Sequence, residues 1–217
     1  MKNLTAIVAL NHEGVIGCGN ALPWRLKTDM RFFKDQTTGG VVLMGRKTFD
    51  SLHQRPLKAR HNVVISHHFN LFAETETCKI ASGIEDGLFR ASLAPRLYKQ
   101  AFVIGGASMY DQFAPFVDRY LITLVDKVVP DGDTFFCPAF DPSEWEKISL
   151  FAQSADVDNE ASFTVFELRN RRSDEIKALR LQAIERARFA SRAPLRESRP
   201  SSRKVEMGSA DRNLAMF

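Results

Sequence analysis

Val42-Leu43-Met44-Gly45-Arg46-Lys47-Thr48 is an apolar run, one glycine, then two cations and a hydroxyl. Continuous rather than alternating hydrophobicity over residues 41–44 reads as a strand covered on both faces, and the residues after Gly45 open a helix. The same unit recurs at Val103-Ile104-Gly105-Gly106-Ala107-Ser108-Met109-Tyr110. Further apolar runs lie at 4–10, 63–65, 101–104 and 120–125. Helix-like stretches fall between the runs: 28–35 with Thr28 as its cap, 46–52, 84–97 interrupted by Gly87 and Pro95, and 107–113. Strand and helix alternating over about 125 residues predict an α/β fold, an open, twisted, mostly parallel sheet with helices on both faces. Pro130-Asp131-Gly132-Asp133 marks a turn, and two more strands at 145–153 and 162–168 predict a C-terminal antiparallel hairpin.

The chain has 217 residues, enough for one domain with a remainder. Its net charge of +4 is unevenly spread. Residues 1–168 carry 17 Lys and Arg against 20 Asp and Glu, a net of −3, while residues 169–217 carry 13 against 6, a net of +7. The body therefore gives no electrostatic reason to expect nucleic acid. Cys18, Cys78 and Cys137 are odd in number and form no C-x-x-C, which argues for a reducing, cytoplasmic setting and against structural zinc. The apolar run at 4–10 is short for a secretory signal and lacks a small-residue cleavage site.

The C-terminal region reads differently. Ser173-Asp174-Glu175 opens a helix over 169–190, with Ile176, Leu179, Ala183 and Ala187 on one face and Arg or Lys elsewhere. Residues 191–217 are rich in Ser, Arg and Pro and read as a disordered tail. A basic tail can bind nucleic acid or an anionic membrane surface, but a solvated extension is the simpler reading.

The candidate chemistry sits beside these strand ends. Gly14-Val-Ile-Gly-Cys-Gly-Asn-Ala-Leu-Pro-Trp24 is a glycine-hinged loop, followed by a lone acid, Asp29, among Met30, Phe32 and Phe33. A carboxylate in apolar surroundings has a raised pKa and can handle a proton. Arg46, Lys47 and Thr48 at a helix start suit a phosphate or are simply exposed, and Gly105-Gly106 is a close-approach site or only a tight turn. Ser66, His67 and His68 end another strand, where α/β sheets bind ligands. Adjacent imidazoles point apart, so no metal is expected.

Together the motifs V-I-G-x-x-N-x-L-P-W, the acid five residues after Trp24, G-R-x-T, R-P-L, V-I-G-G-A and D-G-D-T-x-F resemble dihydrofolate reductase of the bacterial type over residues 2–168. The resemblance implies reduction of dihydrofolate with NADPH, inhibition by antifolates such as trimethoprim or methotrexate, and a monomer. It makes Asp29 the single active-site acid, Thr123 its support, Trp24 the holder of an ordered water, and Tyr110 a neighbour of the nicotinamide. Ile7 and Ile104 would border the pterin pocket; Met30, Phe33, Leu52 and Leu57 would form the benzoyl walls; Arg60 would pair with the glutamate tail. Ala9, Ile16, Arg46, Lys47, Thr48, Ser66, Gly105, Gly106 and Ala107 match cofactor contacts, with a cis Gly-Gly peptide. Ser108 stands where some relatives carry an arginine, which shifts phosphate binding toward Arg46, Lys47, His67 or His68. His53-Gln54 adds one residue beside Leu52. A reductase of a ribosylated pyrimidine on the same fold is the competing reading, and an acid so close after Pro-Trp speaks against it.

Overall fold

The computed structural model describes residues 3–68, 71–98 and 100–192. The tail expected at 191–217 lies outside them from residue 193 onward.

The strands are β1 (Leu4–Asn11), β2 (Val15–Gly17), β3 (Val41–Gly45), β4 (His61–Ile65), β5 (Cys78–Ala81), β6 (Ala101–Val103), β7 (Arg119–Val125), β8 (Thr134–Phe135), β9 (Trp145–Gln153) and β10 (Phe163–Asn170). The helices are α1 (Lys27–Thr37), α2 (Arg46–Ser51), α3 (Ile84–Leu93), α4 (Ala107–Phe113) and α5 (Ser173–Ala190). Eight strands form one sheet in the order β5-β4-β3-β6-β1-β7-β10-β9. The first six run parallel, and β10 turns antiparallel against β7 and β9. The expected parallel sheet and terminal hairpin are both present. β2 and β8 form a separate two-stranded ribbon.

Alternate residues of each strand serve opposite faces. Ala6, Val8, Leu43, Val63 and Ile65 pack with Leu88 and Ala91 of α3, Met109 and Phe113 of α4, and Ala183 of α5. Ile7, Val42, Met44, Val64 and Phe102 pack with Phe49 of α2 and Phe32 and Phe33 of α1. Helices therefore cover both faces. The sequence predicts that Gly87 interrupts α3, but the helix runs through it and buries it. A Cβ there would lie 3.4–3.6 Å from Ile65 and Leu43, so the missing side chain lets the helix sit close on the sheet.

Helix α5 forms where the sequence predicts one, but its buried face differs. Leu179 is 49% exposed, whereas Arg180 is 1% exposed. The Arg180 guanidinium donates to the Asp118 carboxylate at 3.0 Å and to the Phe116 carbonyl. The same Asp118 oxygen accepts the Leu4 N–H at 2.7 Å. One carboxylate thus joins the start of β1, the start of β7 and the middle of α5. Arg186 adds an exposed pair with Glu85 of α3. Among the described residues no helix is long and apolar enough to cross a membrane.

Candidate active site

The carboxyl ends of β1, β3, β4, β6 and β7 open into one cavity of about 1160 Å³. Its walls contain Asp29, Thr123, Tyr110, Ile7, Ile104, Met30, Phe33, Leu52 and Leu57. They also contain Ala9, Ile16, Arg46, Lys47, Thr48, Ser66, His67, Gly105, Gly106, Ala107 and Ser108. Two of the expected site residues are not on the wall. Trp24 lies behind it, buried, with an indole Nε1 that has no protein partner among the described residues. Arg60 is 7% exposed, donating to the Thr37 hydroxyl and to the Lys34 and Lys58 carbonyls. No acidic group pairs with it among the described residues, and burial pulls its pKa down.

Asp29 is the third residue of α1 and is 8% exposed. Burial raises its pKa, and a 2.6 Å hydrogen bond from the Thr123 hydroxyl pulls partly back. Desolvation wins because one hydrogen bond replaces only part of the lost hydration of a carboxylate. The result is an acid that holds its proton above the usual carboxylate range. The Tyr110 hydroxyl donates to the Ile7 carbonyl at 2.8 Å, and burial raises its pKa, so it remains a neutral donor.

Opposite the acid, the chain makes room for a ligand with backbone. The Gly105–Gly106 peptide is cis, and Gly105 has φ +117. A Cβ on Gly105 would lie 3.4 Å from the Tyr110 hydroxyl and 3.5 Å from the Thr48 hydroxyl, filling the cradle. Arg46 and Lys47 stand beside it, although Arg46 also pairs with Asp50 at 3.0 Å. His53 and Gln54, next to the Leu52 wall, both have φ +55.

A sequence profile of the dihydrofolate reductase family matches residues 3–170. The chain belongs to the dihydrofolate reductase family. It is 39% identical over 147 residues to a dihydrofolate reductase of Neisseria meningitidis, covering 68% of this chain and 86% of that protein. It is 35% identical over 169 residues to that of Bacillus subtilis, covering 77% and 95%. A solved dihydrofolate reductase from Enterococcus faecalis, complexed with NADP(H) and RAB-propyl, superposes with a TM-score of 0.69 at 28% identity, over 78% of this chain and 97% of that one.

Within this family member, the wall also includes residues to which the sequence assigns no site role, among them Gln112, Thr134 and Phe135. Asp133 is the most informative. Its carboxylate accepts the Gly19 N–H at 2.8 Å and the Thr134 hydroxyl at 2.8 Å, and these bonds lower its pKa. Together with the β2–β8 ribbon it fastens the glycine-hinged loop. The sequence marks this spot as a turn and as the D-G-D-T-x-F motif of the resemblance, without giving Asp133 a role. Asp133→Ala is expected to free the loop, speeding NADPH release and lowering the steady-state rate; unchanged release in stopped-flow fluorescence would count against this.

Thr28 does not cap α1. The helix starts one residue earlier, with Leu26 in the cap position and no side-chain cap of its own.

Proposed function

We propose that this chain reduces 7,8-dihydrofolate to 5,6,7,8-tetrahydrofolate with NADPH, a step that supplies one-carbon metabolism and thymidylate synthesis. The observation that carries this is a single buried acid, held by Thr123, in the same cavity as a glycine cradle flanked by cations. The residues present fit the cofactor. Gly105 and Gly106 allow phosphates to approach the backbone, while Arg46, Lys47, Thr48, Ser66 and His67 supply charge and hydroxyls. When bound, NADPH supplies the hydride that goes to C6 of the pterin.

The chain supplies position and one proton. Asp29 binds the pterin ring and assists protonation at N5, its raised pKa keeping a proton available nearer neutrality. As pH rises through that raised pKa the protonated form is lost, so the rate falls on the alkaline side. Tyr110, hydrogen-bonded to Ile7, fixes the wall beside the reacting ring. Phe33, Leu52, Leu57 and Met30 exclude water from the benzoyl region. Arg60 is a buried cation without an acidic partner among the described residues, which suits the glutamate carboxylate of the substrate. A buried Trp24 Nε1 with no partner among the described residues suits the ordered water assigned to it.

Trimethoprim and methotrexate would compete for the Asp29 pocket. The free cysteines support a reducing, cytoplasmic setting, and a monomer completes the reading. The test is NADPH oxidation followed by absorbance with dihydrofolate, with and without trimethoprim. Dihydrofolate-dependent oxidation is expected. Its absence, or oxidation only with a ribosylated pyrimidine, would overturn the proposal.

A further inference from the structure

We propose that Asn159, on the loop between β9 and β10, positions the catalytic acid by capping helix α1 from outside the active site; this rests on the reductase reading above. The first N–H groups of any helix need acceptors from beyond it. Leu26, at the cap position of α1, accepts the Met30 N–H with its carbonyl but has no side-chain acceptor to offer, and its side chain is buried. The loop supplies them instead. The Asp158 carbonyl accepts the Lys27 N–H at 3.0 Å, and Asn159 Oδ1 accepts the Thr28 N–H at 3.0 Å. Asn159 Nδ2 donates back to the Thr28 hydroxyl at 3.0 Å.

Thr28 is the residue immediately before Asp29. The acid is therefore gripped twice, at its carboxylate by Thr123 and at the preceding residue, Thr28, by Asn159. Asn159 is itself 1% exposed and pre-oriented. Its Nδ2 also donates to Asp156 Oδ1 at 2.9 Å, and that oxygen accepts the Asp158 and Asn159 N–H groups at 2.8 Å each. The arrangement uses both ends of a primary amide, acceptor toward the helix and donor toward Thr28 and Asp156. Neither alanine nor aspartate reproduces it. Asn159 is not part of the cavity wall, so it acts through the helix as a positioning residue.

The same loop grips the segment ahead of the helix. The Glu160 N–H donates to the Arg25 carbonyl, and Lys127 Nζ bridges the Pro23 carbonyl and the Glu160 carboxylate. Among the described residues, the only groups that shift the Asp29 pKa are the burying walls and the Thr123 hydroxyl. Loosening the helix end admits water to the carboxyl and undoes part of the burial that raises it.

The test uses the full chain and single-turnover hydride transfer across pH, with NADPH affinity and Tm measured alongside. Asn159→Ala is expected to slow transfer roughly 10-fold, since small displacements of a reacting group carry penalties of this order or larger. Its alkaline fall-off should move to lower pH, with NADPH affinity unchanged. Asn159→Ser, which keeps an acceptor for the Thr28 N–H, should recover part of the rate. Asp156→Ala should move both readouts the same way by less, and it decides the matter if Asn159→Ala does not fold. A lowered Tm with wild-type rate and pH profile would overturn the proposal and leave the reductase reading intact. A wild-type chain that fails to turn over dihydrofolate would overturn both.

Discussion

Asp29→Asn is expected to slow dihydrofolate reduction at neutral pH by roughly 10²–10⁴-fold, the range that a positioned acid contributes, while NADPH binding survives. An amide can still accept the Thr123 hydroxyl, so the wall keeps its shape while the proton is lost. The same variant carries a stability signature of opposite sign. In the wild type the folded-state pKa of Asp29 lies above its unfolded value because burial disfavours the charge. Between those two values the folded chain binds more protons than the unfolded one, so stability falls as pH rises through the window. Above it the full cost of a buried carboxylate is present. Below the ordinary carboxylate pKa of about 3.9 the cost vanishes. The Tm of Asp29→Asn relative to wild type should therefore be highest at neutral to alkaline pH and should decline on acidification. A Tm difference independent of pH, or near-normal turnover, would remove Asp29 from the mechanism.

The second large effect concerns α5. Arg180→Ala would leave the Asp118 carboxylate buried without its guanidinium, a change that costs ~3–5 kcal/mol for a buried pair. At roughly 2–4 °C per kcal/mol for a chain of this size, Tm should fall by about 6–20 °C. Ending the chain at Asn170, where the family match also ends, should cost at least as much, because the buried Ala183 is lost with it. The double variant Asp118→Asn/Arg180→Met removes both charges and should recover much of the loss, since the penalty lies in the stranded charge rather than in the absent attraction. Thermal unfolding of the four proteins settles it: a shortened chain with wild-type Tm would show that α5 contributes nothing.

The parallel sheet was legible because β1, β3, β4, β6 and β7 each contain a short, mostly apolar run, as strands buried on both faces do, and turn signals and helix-like stretches separate them. β5 was missed because Cys78-Lys79-Ile80-Ala81 is four residues long, carries a lysine and sits at the sheet edge. β2 and β8 span three and two residues and exist only as a pair, so neither segment shows a period alone. The site was legible wherever chemistry is carried by residue type close in sequence, as at Asp29 and Gly105-Gly106. It was illegible where a contact spans the chain. Arg180 in a basic helix reads as a solvated charge, and it is partners far away in sequence, Asp118 at 62 residues and the Phe116 carbonyl, that hold it in the core. Asn159 reads as an ordinary loop amide until Thr28 arrives from 131 residues away.

The junction at Asp118 also bears on how the protein is made. Leu4 is synthesised long before Arg180, yet one carboxylate oxygen receives both. A nascent chain that has already translated every wall of the cavity still holds that carboxylate without its cation. Docking of α5 supplies that cation and ties the helix to the start of β1.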